Sequence, residues 1–123
     1  MILADTSIWI AHLRSANSAL RELLDGEQVL SHPLVTGELA VGNLKDRQAM
    51  IRYLNRMPKA HVATDTEVLW LIEQHRLYGL GLGYIDVHLL ASIRLARGHR
   101  LWTRDQRLAA ASKTLGVAAY MEQ

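Results

Sequence analysis

The sequence of 123 residues contains no cysteine. Disulfide bonds, thiolate metal sites and cysteine nucleophiles are therefore excluded. The absence is compatible with a reducing compartment but does not by itself locate the protein. Any metal site in this chain has to use ligands other than cysteine sulfur.

Long apolar runs are also missing. No stretch reaches the roughly 18 apolar residues that a membrane-spanning helix requires. The N-terminus has no basic segment ahead of its apolar residues, so it does not resemble a secretory signal peptide. We therefore expect a cytoplasmic protein with no membrane partner.

Several catalytic signatures are absent as well. None of the six histidines has the second histidine and the glutamate that form a zinc-hydrolase helix. The glycine-rich segment 79–83 does not follow a predicted strand, so it is neither a convincing dinucleotide fingerprint nor a P-loop. The tryptophans and tyrosines are scattered at core-like spacings and do not form a base-stacking platform.

Half of the residues are apolar and 21% are charged, which indicates one globular domain spanning residues 1–123. Short apolar runs predict strands at 2–4, 28–31, 60–63, 100–103 and 117–120. Amphipathic or capped segments predict helices at 6–12, 19–24, 33–43, 47–57, 67–78, 85–96 and 105–115. This alternation predicts an α/β fold, with a parallel sheet of about five strands flanked by helices on both faces.

Four acids occupy unusual positions for surface carboxylates. Asp5 directly follows one predicted strand and Asp105 lies two residues after another, at the carboxyl ends where open α/β sheets bind ligands. Glu38 and Asp86 lie on or beside the apolar stripes of their helices, where an uncompensated charge is costly. Simpler explanations exist, because three of the four are placed to cap helices and Glu38 could be exposed beside its stripe. Taken together, the four predict one acidic cluster at a sheet edge.

Such a cluster requires raised pKa values or bound cations. Carboxylate oxygens suit Mg²⁺ or Mn²⁺ better than zinc. A bound ion of this kind can polarise a phosphodiester and activate water for its hydrolysis. Ser7 and Thr103 lie beside the strand-end acids and are candidate supporting hydroxyls, although helix capping explains them at least as well.

Arginine is concentrated late in the chain, with five arginines and a single acid between residues 94 and 107. A guanidinium group can bind two oxygens of one phosphate at the same time. A cluster of arginines therefore favours a polyanionic ligand. The candidate contacts to a nucleic-acid backbone are Arg94, Arg97, Arg104 and Arg107. A solvated helix face with capping residues is the alternative interpretation.

The acids occur in four short motifs: Ile-Leu-Ala-Asp5-Thr-Ser, Gly37-Glu38-Leu, Gly83-Tyr-Ile-Asp86-Val-His-Leu-Leu-Ala and Leu-Trp-Thr103-Arg-Asp105. This set resembles the PIN-domain ribonucleases, and more narrowly the VapC toxins of bacterial and archaeal toxin–antitoxin pairs. Each motif alone is weak, but the four acids in this order and spacing form a more specific signal that covers essentially the whole chain. The departures are Leu108, where many relatives have an aromatic residue, and the absence of phenylalanine; both concern packing.

The resemblance implies that Asp5, Glu38, Asp86 and Asp105 form the catalytic site of a Mg²⁺- or Mn²⁺-dependent endoribonuclease. Asp5 and Asp86 would be direct metal ligands. Glu38 and Asp105 would act through a second ion, a water or substrate positioning. The resemblance also implies an RNA substrate, a homodimer and a small cognate antitoxin whose C-terminal segment covers or enters the acidic groove. A single-stranded RNA loop is favoured over a duplex because splayed bases expose the scissile phosphates.

Two other functions stay open at this point. A phosphatase resembling the haloacid dehalogenases would use Asp5 as a nucleophile, but such enzymes carry a second aspartate two residues later, where this chain has Ser7. A non-catalytic module could use the acids only to bind a metal structurally or to contact a partner. Titration with Mg²⁺ or Mn²⁺ beside an RNA cleavage assay separates the module from the nuclease.

Overall fold

The computed structural model describes residues 1–122 of the chain, which form three strands and seven helices. The strands are β1 (Ile2–Ala4), β2 (Val29–Leu30) and β3 (Arg100–Trp102). The helices are α1 (Thr6–Arg14), α2 (Ser18–Asp25), α3 (Pro33–Val41), α4 (Arg47–Arg56), α5 (Asp65–His75), α6 (Tyr84–Leu95) and α7 (Gln106–Leu115).

The strands form a parallel sheet in the order β2-β1-β3, with β1 at its centre. Ile2 pairs with Val29 on one side and with Arg100 on the other, and Ala4 pairs with Trp102. All three residues of β1 are buried. Since successive side chains of a strand point to opposite faces, both faces of the sheet are covered, as predicted.

The prediction of five strands was wrong for the two outer ones. The segment predicted as strand 60–63 contains no strand, and only an isolated parallel bridge between Ser31 and Lys59 stands just before it. The segment predicted as strand 117–120 likewise has one bridge, between Leu101 and Ala119. Each outer segment makes two backbone hydrogen bonds to its neighbour, of 2.7 and 2.8 Å in the first and 2.9 and 2.9 Å in the second. The chain therefore runs beside the sheet at both edges but leaves it before a ladder can form.

Local capping explains where most helices begin, and it differs in detail from the sequence prediction. Asn17, not Ser18, caps α2 by accepting a hydrogen bond from the Leu20 amide. Helix α5 begins two residues before the predicted start, because Thr64 and Glu67 form a reciprocal capping box. Asp46 stands at the start of α4 as predicted, but its side chain makes no capping hydrogen bond.

One hydrophobic core joins the sheet to the helices that cover it. Trp9, Trp102, Leu3 and Leu89 are among its fully buried large side chains. Within residues 1–122, no helix has both the length and the apolar character needed to cross a membrane.

Candidate active site

The sheet brings Asp5 and Asp105 to the same edge. Asp5 follows β1 and is the N-cap of α1, while Asp105 lies three residues after β3 and is the N-cap of α7. Ala4 and Trp102 are paired in register, so the chain leaves the two neighbouring strands at the same level. The Asp5 amide continues this pairing by donating to the Trp102 carbonyl at 3.0 Å.

Helices α3 and α6 supply the other two acids. Glu38 lies on α3, the helix that follows β2, and Asp86 lies in the first turn of α6. All four carboxylates line one open cleft of about 540 Å³. The cleft therefore contains side chains from four separate elements, which only the folded chain brings together.

Asp5 is the most enclosed of the four acids, with 4% of its surface exposed. Its Oδ1 accepts hydrogen bonds from the Ile8 amide at 3.1 Å and from the Ser7 hydroxyl at 2.5 Å. Its Oδ2 accepts from the Thr103 hydroxyl. Both hydroxyls that the sequence suggested as supporting groups thus contact Asp5 and fix the orientation of its carboxylate.

Thr103 also links Asp5 to the segment that carries Asp105. While its hydroxyl donates to Asp5, the same oxygen accepts from the Asp105 amide at 3.0 Å. Asp105 in turn caps α7, since its Oδ1 accepts from the amides of Arg107 at 2.9 Å and Leu108 at 3.1 Å. Asp5 and Asp105 therefore each cap a helix and also line the cleft, although the sequence analysis treated these two roles as alternatives.

The pKa of Asp86 is raised, and the other three acids contribute to the shift. Burial raises the pKa of the Asp86 carboxyl above its usual range, while a 3.0 Å hydrogen bond from the Gly83 amide acts in the opposite direction. The negative charges of Asp105, Asp5 and Glu38 raise the pKa of Asp86 further. The other three acids are thus close enough to Asp86 to disfavour its ionised form.

No cationic side chain of residues 1–122 relieves this repulsion. The ion pairs in this part of the chain join His88 to Asp65 and Arg104 to Glu122, and neither involves a cleft acid. The same residues contain no group of three or more acids and histidines arranged as a ready-made metal cage. Carboxylates that have no cationic side chain as a partner suit Mg²⁺. This ion keeps several of its waters and is usually bound by one or two protein carboxylates, so it does not need a full set of protein ligands.

The arginines suggested as nucleic-acid contacts do not form one patch. Arg104 precedes Asp105 and Arg107 lies two residues after it, but neither side chain lines the cleft, and Arg104 makes a two-point ion pair with Glu122, at 2.7 Å for its closest atoms. Arg94 lies in a groove between α5 and α6 and donates to the Leu115 carbonyl at 3.4 Å. Arg97 is exposed just beyond the end of α6.

Tyr84 is a cleft residue that the sequence reasoning missed. The tyrosines were interpreted as scattered core residues, but Tyr84 lines the cleft and 45% of its surface is exposed. No signal for it was available in the sequence, because residues two positions apart on a helix, as Tyr84 and Asp86 are, do not share a face.

The family assignment agrees with this geometry. A family model of the PIN domain matches residues 2–114, a span that contains all four acids. The chain therefore belongs to the PIN-domain family. Among its relatives is Ribonuclease VapC32 of Mycobacterium tuberculosis, in strains CDC 1551 / Oshkosh and ATCC 25618 / H37Rv. This chain is 49% identical to it over 118 residues, which cover 96% of this chain and 95% of the relative. The resemblance to VapC-type PIN-domain ribonucleases is thereby confirmed.

Proposed function

We propose that this chain is a Mg²⁺- or Mn²⁺-dependent endoribonuclease and the toxin of a toxin–antitoxin pair. The observation that carries the proposal is the convergence of four carboxylates on one cleft with no cation among residues 1–122 to neutralise them. The name of the VapC32 relative, a ribonuclease, supports RNA as the substrate.

In this proposal Asp5 and Asp86 are direct metal ligands, and Glu38 and Asp105 act through a second ion, a water or the substrate. With a divalent ion held by these residues, the site would gain Lewis-acid activation of water and neutralisation of charge on the leaving oxygen. Ser7 and Thr103 hold the Asp5 carboxylate in one orientation, which reduces the entropy lost when a ligand binds.

The RNA backbone would approach the cleft from the side of α7. Arg107 is exposed there, and among residues 1–122 it has no acidic ion-pair partner, so it is the better candidate for a phosphate contact. Arg104 would have to exchange Glu122 for a phosphate. Arg94 and Arg97 lie at the opposite end of α6 from Asp86 and would contact only a long RNA.

A cognate antitoxin would cover the cleft. A second hollow of about 410 Å³ shares Ile10 and Glu38 with the cleft and is otherwise lined partly by Leu13, Leu39 and Leu44. An antitoxin segment with apolar side chains fits this hollow, and a cationic side chain on the same segment would reach the carboxylates.

For the proposed homodimer, the groove between α5 and α6 is the best-suited surface. It is largely apolar, and Trp70 at its wall is 57% exposed. Glu67 and Arg94 line the same groove, so two copies related by a two-fold axis would present opposite charges to each other.

The test uses purified wild-type protein and the variants Asp5→Asn and Asp86→Asn, each freed of contaminating ribonuclease. We expect wild type to cleave single-stranded RNA with Mg²⁺ or Mn²⁺ and both variants to lose at least 100-fold in rate. Glu73→Gln, which changes an exposed acid of α5 outside the cleft, serves as the matched control and should cleave like wild type.

Equal cleavage by all four proteins would contradict the proposal, because it would identify the activity as contamination or as independent of the cleft. Calorimetric titration with Mn²⁺ addresses the alternative of a non-catalytic module. Metal binding by wild type without any RNA cleavage would favour that module.

A further inference from the structure

Tyr84 is an exposed aromatic residue beside the four acids. It is the first residue of α6, two positions before Asp86, and it lines the cleft with 45% of its surface exposed. Among residues 1–122, it is the one aromatic residue that lines the cleft. A ligand that enters the cleft therefore lies next to Tyr84.

The ring is held in place from two directions. The Tyr84 hydroxyl donates to Asp65 Oδ1 at 2.6 Å, which ties α6 to the first residue of α5. Its ring packs edge-to-face on the His88 ring, with centroids 4.8 Å apart and planes at 87°. His88 Nε2 lies 3.4 Å from the same Asp65 oxygen. The hydrogen bond from Tyr84 holds the pKa of Asp65 below its usual range, so this acceptor stays ionised at neutral pH.

The support beneath Tyr84 is itself buried. His88 is 5% exposed, and its ring packs against that of His32 with centroids 6.2 Å apart. His32 is fully buried and caps α3, since its Nδ1 accepts from the Leu34 amide at 3.1 Å. A ring held this way loses little conformational entropy when a ligand packs on it.

With its hydroxyl occupied, Tyr84 can interact with a ligand mainly through its aromatic ring. Its hydroxyl already donates to Asp65, and the ring carries no charge with which to bind a phosphate. What the exposed ring offers is an aromatic surface, and unpaired nucleobases stack on aromatic side chains regardless of their sequence.

We propose that Tyr84 is a base-stacking residue, which receives an unpaired nucleobase next to the phosphate bound in the cleft. This inference rests on the proposed ribonuclease function and adds to it a contact to the base. It predicts that the protein distinguishes RNA with bases from the same backbone without them.

The test compares binding of two oligomers, octauridylate and an octamer of abasic ribose phosphates with the same number of charges. Binding is measured with Ca²⁺ in place of Mg²⁺, over a period in which gel analysis shows intact oligomer. We expect wild type to bind octauridylate about tenfold more tightly than the abasic octamer. Tyr84→Phe, which keeps the ring, should preserve most of this preference, and Tyr84→Leu should abolish it.

Tyr78→Leu is the matched control, because Tyr78 is 59% exposed but does not line the cleft. It should discriminate between the octamers as wild type does. Wild type that cleaves RNA but binds both octamers equally would overturn the role of Tyr84 and leave the ribonuclease proposal intact. Tyr84→Leu that weakens both octamers by the same factor would show a merely structural role and also overturn it. Wild type that neither cleaves RNA nor binds either octamer would overturn the ribonuclease proposal, and the role of Tyr84 with it.

Discussion

Asp5 has a structural and a proposed catalytic role that a single substitution can separate. Asparagine caps helices about as well as aspartate, so Asp5→Asn retains an acceptor for the Ile8 amide. We expect it to lower the free energy of unfolding by no more than about 1 kcal/mol while abolishing RNA cleavage. Urea denaturation measures the stability, and Asp5→Ala, which also removes the cap, should cost about 1 kcal/mol more. An unfolded Asp5→Asn protein would contradict this separation.

Asp86 gives a prediction about pH. Because burial raises the pKa of Asp86 in the folded protein, the folded state holds this proton more tightly than the unfolded chain does. Asp86 therefore favours folding below its unfolded pKa, and this contribution is lost as the pH rises through the raised folded pKa. At pH 7 the ionised carboxylate opposes folding, since it is partly desolvated beside three other acids.

We therefore expect Asp86→Asn to be more stable than wild type at pH 7 by a few tenths to about 1 kcal/mol, measured in chelator-containing buffer. Near pH 3 the wild-type carboxyl is protonated and the difference should disappear. Glu73→Gln should show no such gain. A variant that is less stable than wild type at pH 7 would argue against repulsion within the cluster.

The residues of the cleft were predictable to different degrees. Asp5 and Asp105 could be found because each lies just after an apolar run, directly for Asp5 and three residues on for Asp105, and a parallel sheet aligns such ends. Tyr84 could not be found in this way, because its orientation depends on Asp65, which lies 19 positions earlier. Spacing along one helix does not reveal a contact of that kind.

At the level of secondary structure, two helix ends offer a matched pair of substitutions. Both α5 and α7 end at a residue in the left-handed region, but α7 uses Gly116 (φ 69°) and α5 uses Arg76 (φ 53°). Residues with a Cβ atom are strained in this conformation, whereas glycine is not. Arg76→Gly should therefore stabilise the protein by about 0.5–1 kcal/mol, and Gly116→Ala should destabilise it by at least as much. Thermal denaturation of both variants checks this, and a destabilised Arg76→Gly would show that the arginine side chain contributes more than its backbone strain costs.

The helices were predicted more completely than the sheet, for a physical reason. A helix is stabilised by hydrogen bonds among its own residues, so caps and apolar periodicity locate it within a few positions. Whether residues 59–60 or 118–120 extend the sheet depends on how far a distant strand runs beside them. Of the two outer segments only Ala60, Ala63 and Val117 are buried, so apolar composition alone does not determine how many backbone bonds form there.

For the molecule as a whole, the cleft couples ligand binding to folding. Its carboxylates come from α3, from α6 and from the segments that follow β1 and β3, so the unfolded chain does not hold them together. A cation that binds only the assembled cleft must therefore stabilise the folded state, and the gain grows with the logarithm of its concentration. Burial and, after it, the charges of the other three acids raise the pKa of Asp86, and a bound cation would offset the repulsive part.

We accordingly expect Mn²⁺ at about 100 times its dissociation constant to stabilise wild type by about 2.7 kcal/mol. For a domain of this size, that gain corresponds to a rise of roughly 10 °C in the midpoint of thermal unfolding. Asp5→Asn and Asp86→Asn should each lose most of the rise, whereas Glu73→Gln should keep it, and sodium chloride of equal ionic strength should not reproduce it. An undiminished rise in both cleft variants would mean that the ion binds elsewhere, and the proposed metal site would then have to be abandoned even if the protein cleaves RNA.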